Sequence, residues 1–186
     1  ALPSRGAARV LLLNKPVGVI CSCDDPQGRR TVLDLLPPEH RAGLHPVGRL
    51  DADSRGALLL TDLGELTLKL THPRYSHAKT YRVWVEGVPS EAVLDRWCRG
   101  FSLDGRPTRP AQVRRLQTRG ARSLLEIELR EGRNRQIRRM AEALGHPVLD
   151  LQRTAIAGLP LGDLAEGCWM WLSEGCLLYT SDAADD

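Results

Sequence analysis

Lysine is nearly missing from this chain of 186 residues. Of its 26 basic residues only Lys15, Lys69 and Lys79 are lysine, and the rest are arginine. Arginine suits planar, bidentate contact with phosphate or carboxylate and stacks on bases, so the bias points toward a polyanion as well as toward a GC-rich coding sequence. No CxxC pair occurs. The five cysteines, Cys21, Cys23, Cys98, Cys168 and Cys176, are odd in number, and the five histidines are scattered. That argues against a disulfide framework and against zinc-ligand spacing, and it fits reduced thiols in a cytosolic protein. No apolar run approaches the roughly 20 residues that a membrane-spanning helix needs. Nothing at the start reads as a signal peptide, and no internal repeat is visible.

The chain has enough length and apolar content, 42%, for one domain or two small subdomains sharing a core. The last eleven residues, from Cys176, contain no basic residue and hold Asp182, Asp185 and Asp186, so residues 1–175 carry +6 where the whole chain carries +3. Segment 176–186 reads as a non-native chimeric end or a flexible acidic tail and is set aside from fold reasoning. Residues 1–8 read as a leader, cut short if the missing initiator Met marks a lost start. Residues 9–175 are the expected folded domain.

Strand patterns predominate. Strands are expected at 9–14, 19–23, 58–61, 79–86, 113–116, 124–129, 148–151 and 167–172. Over Lys79–Glu86, Tyr81, Val83 and Val85 share one face and alternate with polar residues. Helices are expected at 32–36 behind a Thr31 cap and before Pro37-Pro38, at 64–70, at 90–99 with Ser90 as N-cap, and at 134–144 with Asn134 as N-cap. Few helices separate neighbouring strands, so the expected class is α+β with a mostly antiparallel or mixed sheet.

Three segments carry chemistry. In Gly48-Arg49-Leu50-Asp51-Ala52-Asp53-Ser54 a carboxylate, Asp51, sits beside a base, just ahead of the apolar run Ala57–Leu60 that anchors the loop to a core. Taken alone, Asp and Ser there read equally well as turn residues. Within Arg130–Met140 five arginines fall in ten residues. On a helix, Ile137, Met140, Ala141 and Leu144 form the apolar face, Arg135 and Arg139 point away from it, and Arg138 stands at its border. A border arginine can pair with a partly buried carboxylate while its neighbours reach phosphates; a merely solvated basic face is the alternative. Tyr81 points inward, as a core residue or as a stacking wall. Lys15, before Pro16, is a surface lysine or a phosphate contact. Trp84, Trp97, Trp169 and Trp171 are possible stacking residues, with Trp97 better read as core and Trp169 and Trp171 as a packed pair. His45, His72 and His146 each precede a proline and read as turn positions.

Taken in order, Asn14–Val19, His45–Ser54, Leu58–Leu66, Lys79–Val83, Glu131–Met140, Gly145–Val148 and Gly167–Trp169 resemble the RsuA/RluB/RluE/RluF family of bacterial rRNA pseudouridine synthases. The resemblance implies the family's catalytic fold and isomerisation of one uridine in ribosomal RNA, or in a pre-ribosomal particle, without cofactor or metal. It also implies a cytoplasmic monomer that does not act at a membrane. Asp51 matches the essential aspartate, Tyr81 the active-site tyrosine, and Arg138 the basic residue that pairs with the aspartate. Arg49 matches an arginine that helps hold the flipped-out nucleotide. Arg133, Arg135, Arg139 and Lys15 are the expected RNA contacts. Arg55, Ala57, Ala157 and Met170 depart from common family residues without touching these positions. Many members carry an S4 RNA-binding domain ahead of the catalytic one; only eight residues precede the first strand here, which implies an RluE-like type or a domain lost with the start. A non-catalytic RNA-binding module on the same fold is the alternative, and an Asp51/Asp53 hydrolase pair is disfavoured because a two-residue loop spacing fixes no productive separation.

Overall fold

The computed structural model describes residues 8–72, 74 and 77–173. The tail from Cys176 therefore lies outside the described residues. In chain order the elements are β1 (Val10–Lys15), a 3-10 turn (Val32–Leu35), α1 (Pro38–Arg41), β2 (His45–Val47), β3 (Arg55–Thr61), α2 (Gly64–Thr71), β4 (Lys79–Glu86), α3 (Glu91–Arg99), β5 (Ser102–Leu103), β6 (Arg106–Pro107), β7 (Gln112–Arg119), β8 (Arg122–Leu129), α4 (Gln136–Ala143), β9 (Val148–Ile156), β10 (Leu159–Pro160) and β11 (Trp169–Trp171). The fold is α+β. The described residues divide into two compact units, those up to residue 77 together with 155–173, and residues 78–154.

In the first unit β1 pairs antiparallel with both β3 and β11, and β2 pairs with β3. Every residue of β1 is buried, as is β3 from Gly56 onward. This is why the sequence shows apolar runs here and no alternation: both faces of the pair are covered. Leu11, Leu13, Leu58 and Leu60 pack with Val19, Val32, Leu36 and Leu44 on one side. Val10, Leu12, Ala57 and Leu59 pack with Val47, Leu66, Leu70 and Leu161 on the other. At the edge, Trp169 and Trp171 pack edge-on at 5.6 Å between ring centroids, and His40 stands edge-on to both.

In the second unit the strands run β9-β4-β8-β7. β4 and β8 pair antiparallel along their whole length, from Lys79↔Leu129 to Glu86↔Arg122. Their inward residues Tyr81, Val83, Val85, Leu125, Ile127 and Leu129 are covered by Leu94 and Trp97 of α3 and by Ile137, Met140 and Ala141 of α4. Trp97 is completely buried. Ser90 caps α3, its Oγ accepting from the Val93 N–H at 3.2 Å.

Several expected elements change. Residues 19–23 form no strand; Ile20 makes only a single parallel bridge to Thr31, because this stretch serves as a brace for the loop that follows β2. Pro38 does not merely end the 3-10 turn but opens α1, sitting at a first helical position where its missing N–H costs nothing. α4 begins at Gln136 and is not capped by Asn134; Arg135 takes a left-handed conformation at φ 51°. β9 also runs on to Ile156, well past the expected end at Leu151.

Candidate active site

Asp51 sits in a turn whose main chain is tied at nearly every residue. Its carbonyl accepts from the Ser54 N–H at 3.0 Å, and the Ala52 carbonyl accepts from the Gly18 N–H at 2.7 Å. The Cys21 thiol clasps Leu50 from both sides: the sulfur accepts from the Leu50 N–H at 3.3 Å and donates to the Leu50 carbonyl at 3.1 Å. Leu50 and Ser54 are buried on either side of a half-buried Asp51, while Arg49 and Asp53 are exposed. Gly48 enters the turn at φ 76°, a left-handed conformation that a side chain would strain. The main chain that carries the Asp51 carboxylate is thus held in place before any substrate arrives.

Lys15 corrects the sequence reading. It is fully buried, with Nζ donating to the Pro16 carbonyl at 2.9 Å and to the Val19 carbonyl at 2.7 Å. It is therefore not a surface contact for phosphate. It folds the 16–19 loop, and that loop holds Ala52 through Gly18. Lys15 thereby supports the loop that is joined to the Asp51 turn.

Tyr81 and Arg138 both belong to the second unit and Asp51 to the first. Tyr81 is 8% exposed and shares its core cluster with Ile137, the residue before Arg138. Arg138 is half-buried at the edge of the α4 apolar face, as its helical angle implies.

The segment ahead of α4 is organised by a residue the sequence reading passed over. Gln136 is 4% exposed. Its Oε1 accepts from the Arg133 N–H at 3.2 Å, and its Nε2 donates to Glu131 Oε2 at 3.0 Å. Glu131 Oε2 also accepts from the Arg109 N–H at 2.8 Å. The helix carries no side-chain cap, from Asn134 or any other residue; the Gln136 amide instead ties down the 131–133 segment that leads into it. The three arginines there then diverge. Arg135 is exposed. Arg133 turns back on the β5–β6 hairpin, donating to the carbonyls of Arg106 at 3.0 Å and of Leu103. Arg139 pairs with Asp104 and donates to the Asn134 carbonyl at 3.3 Å.

Lys79 is a second residue the sequence reading missed, although its parity on β4 is that of Tyr81. It is partly buried, and burial pushes its ammonium down from 10.5 to about 8. The charge of Arg153 adds to this, and Glu131 opposes it. Arg153 is itself 3% exposed, on the same face of β9 as buried Leu151. A Cβ on Gly132 would lie 2.8 Å from Lys79 Nζ, so the arginine-rich segment runs directly over this lysine. A partly buried lysine and a buried arginine thus stand close enough for each other's charge to be felt, with Glu131 as the opposing charge.

The family model described as RNA pseudouridylate synthase matches residues 9–143, a span that includes Asp51, Tyr81 and Arg138. Ribosomal large subunit pseudouridine synthase E of Xanthomonas campestris pv. campestris is 42% identical over 178 residues, covering 86% of this chain and 93% of that protein. Ribosomal large subunit pseudouridine synthase B of Bacillus subtilis is also 42% identical, over 160 residues, covering 84% of this chain and 64% of that one. A crystal structure of a pseudouridylate synthase superposes with a TM-score of 0.85 at 31% identity, covering 94% of this chain and 74% of that one.

Proposed function

The chain belongs to the RNA pseudouridylate synthase family and is an isomerase, and from that premise we propose that it converts one uridine of large-subunit ribosomal RNA to pseudouridine with Asp51 as the catalytic carboxylate. The observation that carries this reading is the Asp51 turn: a carboxylate on a main chain fixed by hydrogen bonds, within the span that the family model matches.

The reaction breaks the N1–C1′ bond of uridine, turns the uracil and joins its C5 to C1′. A proton then leaves C5 and one is gained at N1, so no oxidant or co-reactant is needed. A stacked base cannot turn, so the nucleotide must first leave its helix. Asp51 acts at the sugar, as nucleophile at C1′ or as base at C2′. Arg138 is its ionic partner, and Arg49 helps hold the extruded nucleotide. Tyr81 offers a ring face against the detached uracil and a hydroxyl near the C5 proton. Arg135 and Arg139 contact the RNA backbone. Among the described residues no helix is long and apolar enough to cross a membrane; a cytoplasmic monomer working on ribosomal RNA or a pre-ribosomal particle is the form in which we expect it to act.

The test is release of tritium from ribosomal RNA labelled at uridine C5. Release by the native chain is expected. Undiminished RNA binding without release would favour a non-catalytic RNA-binding module. Arg135→Ala is expected to weaken RNA binding and to flatten the slope of log K against log salt by about 0.7 to 0.9, one phosphate's worth, with little change in the single-turnover rate. An unaltered slope would remove Arg135 from the interface.

A further inference from the structure

The β5–β6 hairpin is the part of the second unit that the proposed chemistry leaves unused. Its two-residue turn, Asp104-Gly105, has positive φ at both positions, 57° and 74°. That is the pattern of a type I′ turn, which Asp and Gly favour. The turn is clamped from below: the two carbonyls that Arg133 takes, those of Leu103 and Arg106, belong to the residues flanking it. Between the hairpin and the start of α4 lies an open hollow lined by Asp104, Arg106, Arg133, Asn134 and Arg139. Three of its five lining residues are arginine, and its one carboxylate is paired with Arg139.

We infer that this hollow is a binding subsite for a backbone phosphate of the RNA, in which the Asp104 carboxylate occupies Arg139 until a phosphate displaces it. The inference rests on the reading of the chain as acting on RNA. Gathering Arg106, Arg133 and Arg139 around one space is unfavourable unless an anion sits among them. Asp104 supplies that anion within the chain, and its carboxyl is held below its ordinary value, chiefly by the hydrogen bond from Arg139 and then by the charges of Arg139, Arg133 and Arg106. One carboxylate among three guanidinium groups leaves an excess of positive charge for a ligand to neutralise. The pair is also easy to open. The Asp104 side chain is 67% exposed and that of Arg139 33%, and ion pairs so exposed are weak. A phosphodiester offers two unesterified oxygens to a planar guanidinium, as the carboxylate does, so it can take the same position on Arg139. Arg133 stays bonded to the hairpin throughout and keeps the walls of the site in place.

A double-mutant cycle with a fluorescent oligouridylate tests this. Asp104→Asn keeps a residue at home in the left-handed turn and removes the competing charge. It is expected to tighten binding about three- to tenfold and to steepen the slope of log K against log salt by about 0.7, the contribution of one single-strand phosphate. Arg139→Gln is expected to weaken binding, and in that background Asp104→Asn is expected to change affinity less than about twofold. A gain that persists in full without Arg139 would be a general field effect, and it would overturn the subsite. So would unchanged or weaker binding by Asp104→Asn at an unaltered melting temperature. Tritium release is read separately: a cycle that holds in a chain releasing no tritium keeps the subsite and discards the isomerase reading, and the reverse result does the opposite.

Discussion

Asp51→Asn is expected to abolish tritium release from C5-labelled ribosomal RNA, lowering the single-turnover rate by about 10⁴-fold or more, while RNA binding and melting temperature stay near those of the native chain. Losses of that size are what removal of a reacting group produces, and 10⁴-fold corresponds to about 5.5 kcal/mol of barrier. The substitution leaves the main-chain bonds of the turn in place. Asparagine has the shape of aspartate, and those bonds are made by main-chain groups at Leu50, Asp51, Ala52 and Ser54. Both routes open to Asp51 need a carboxylate oxygen that an amide cannot replace. A single-turnover rate within tenfold of the native one would remove Asp51 from the chemistry.

How much of this was legible in the sequence depended on whether local pattern or distant contact decided the outcome. β4 was legible to the residue, because Lys79–Glu86 alternates and one face is buried, so the pattern and the packing agree. The pair β1 and β3 was legible as apolar runs. Residues 19–23 were not, since their β-branched and thiol residues suggest a strand while their actual work is to support another loop: Cys21 grips Leu50, and Gly18 just before them holds Ala52. Asn134 has the composition of a cap, but the buried Gln136 amide satisfies the segment from inside the helix, a choice that depends on Glu131 and Arg109 being alongside. Lys15 looked superficial because lysines usually are; only its carbonyl partners disclose it as internal. In the proposed site, Asp51, Tyr81 and Arg138 could be named through family resemblance. Lys79, Arg153 and Asp104 could not, because each matters through a neighbour far away in sequence.

Lys79 carries the second large effect, this time on stability. Its ammonium titrates at about 8 in the folded chain, against the 10.5 of an unperturbed lysine, which is the value it returns to on unfolding. A lowered lysine value means that the folded state binds the proton less tightly than the unfolded state does. Below pH 8 both states are protonated and the folded chain bears the full cost of a charge desolvated beside Arg153. As pH rises from about 8 to about 10.5 the folded chain sheds the proton while the unfolded chain keeps it, so this group's contribution to stability increases across that window. A shift of this size corresponds to roughly 3.4 kcal/mol at most. Lys79→Met keeps the length of the side chain and deletes the charge. It is expected to raise unfolding stability near pH 7 by roughly 1–3 kcal/mol in urea melts and to flatten the rise between about pH 8 and about pH 10.5. It is also expected to weaken RNA binding, because the potential that opposes folding is the one a phosphate chain would neutralise. A variant less stable than the native chain at neutral pH, or one retaining the full rise across that window, would show that the ammonium is well compensated where it sits. A variant both more stable and undiminished in RNA affinity would separate the Lys79 charge from the substrate and leave it without a role in binding.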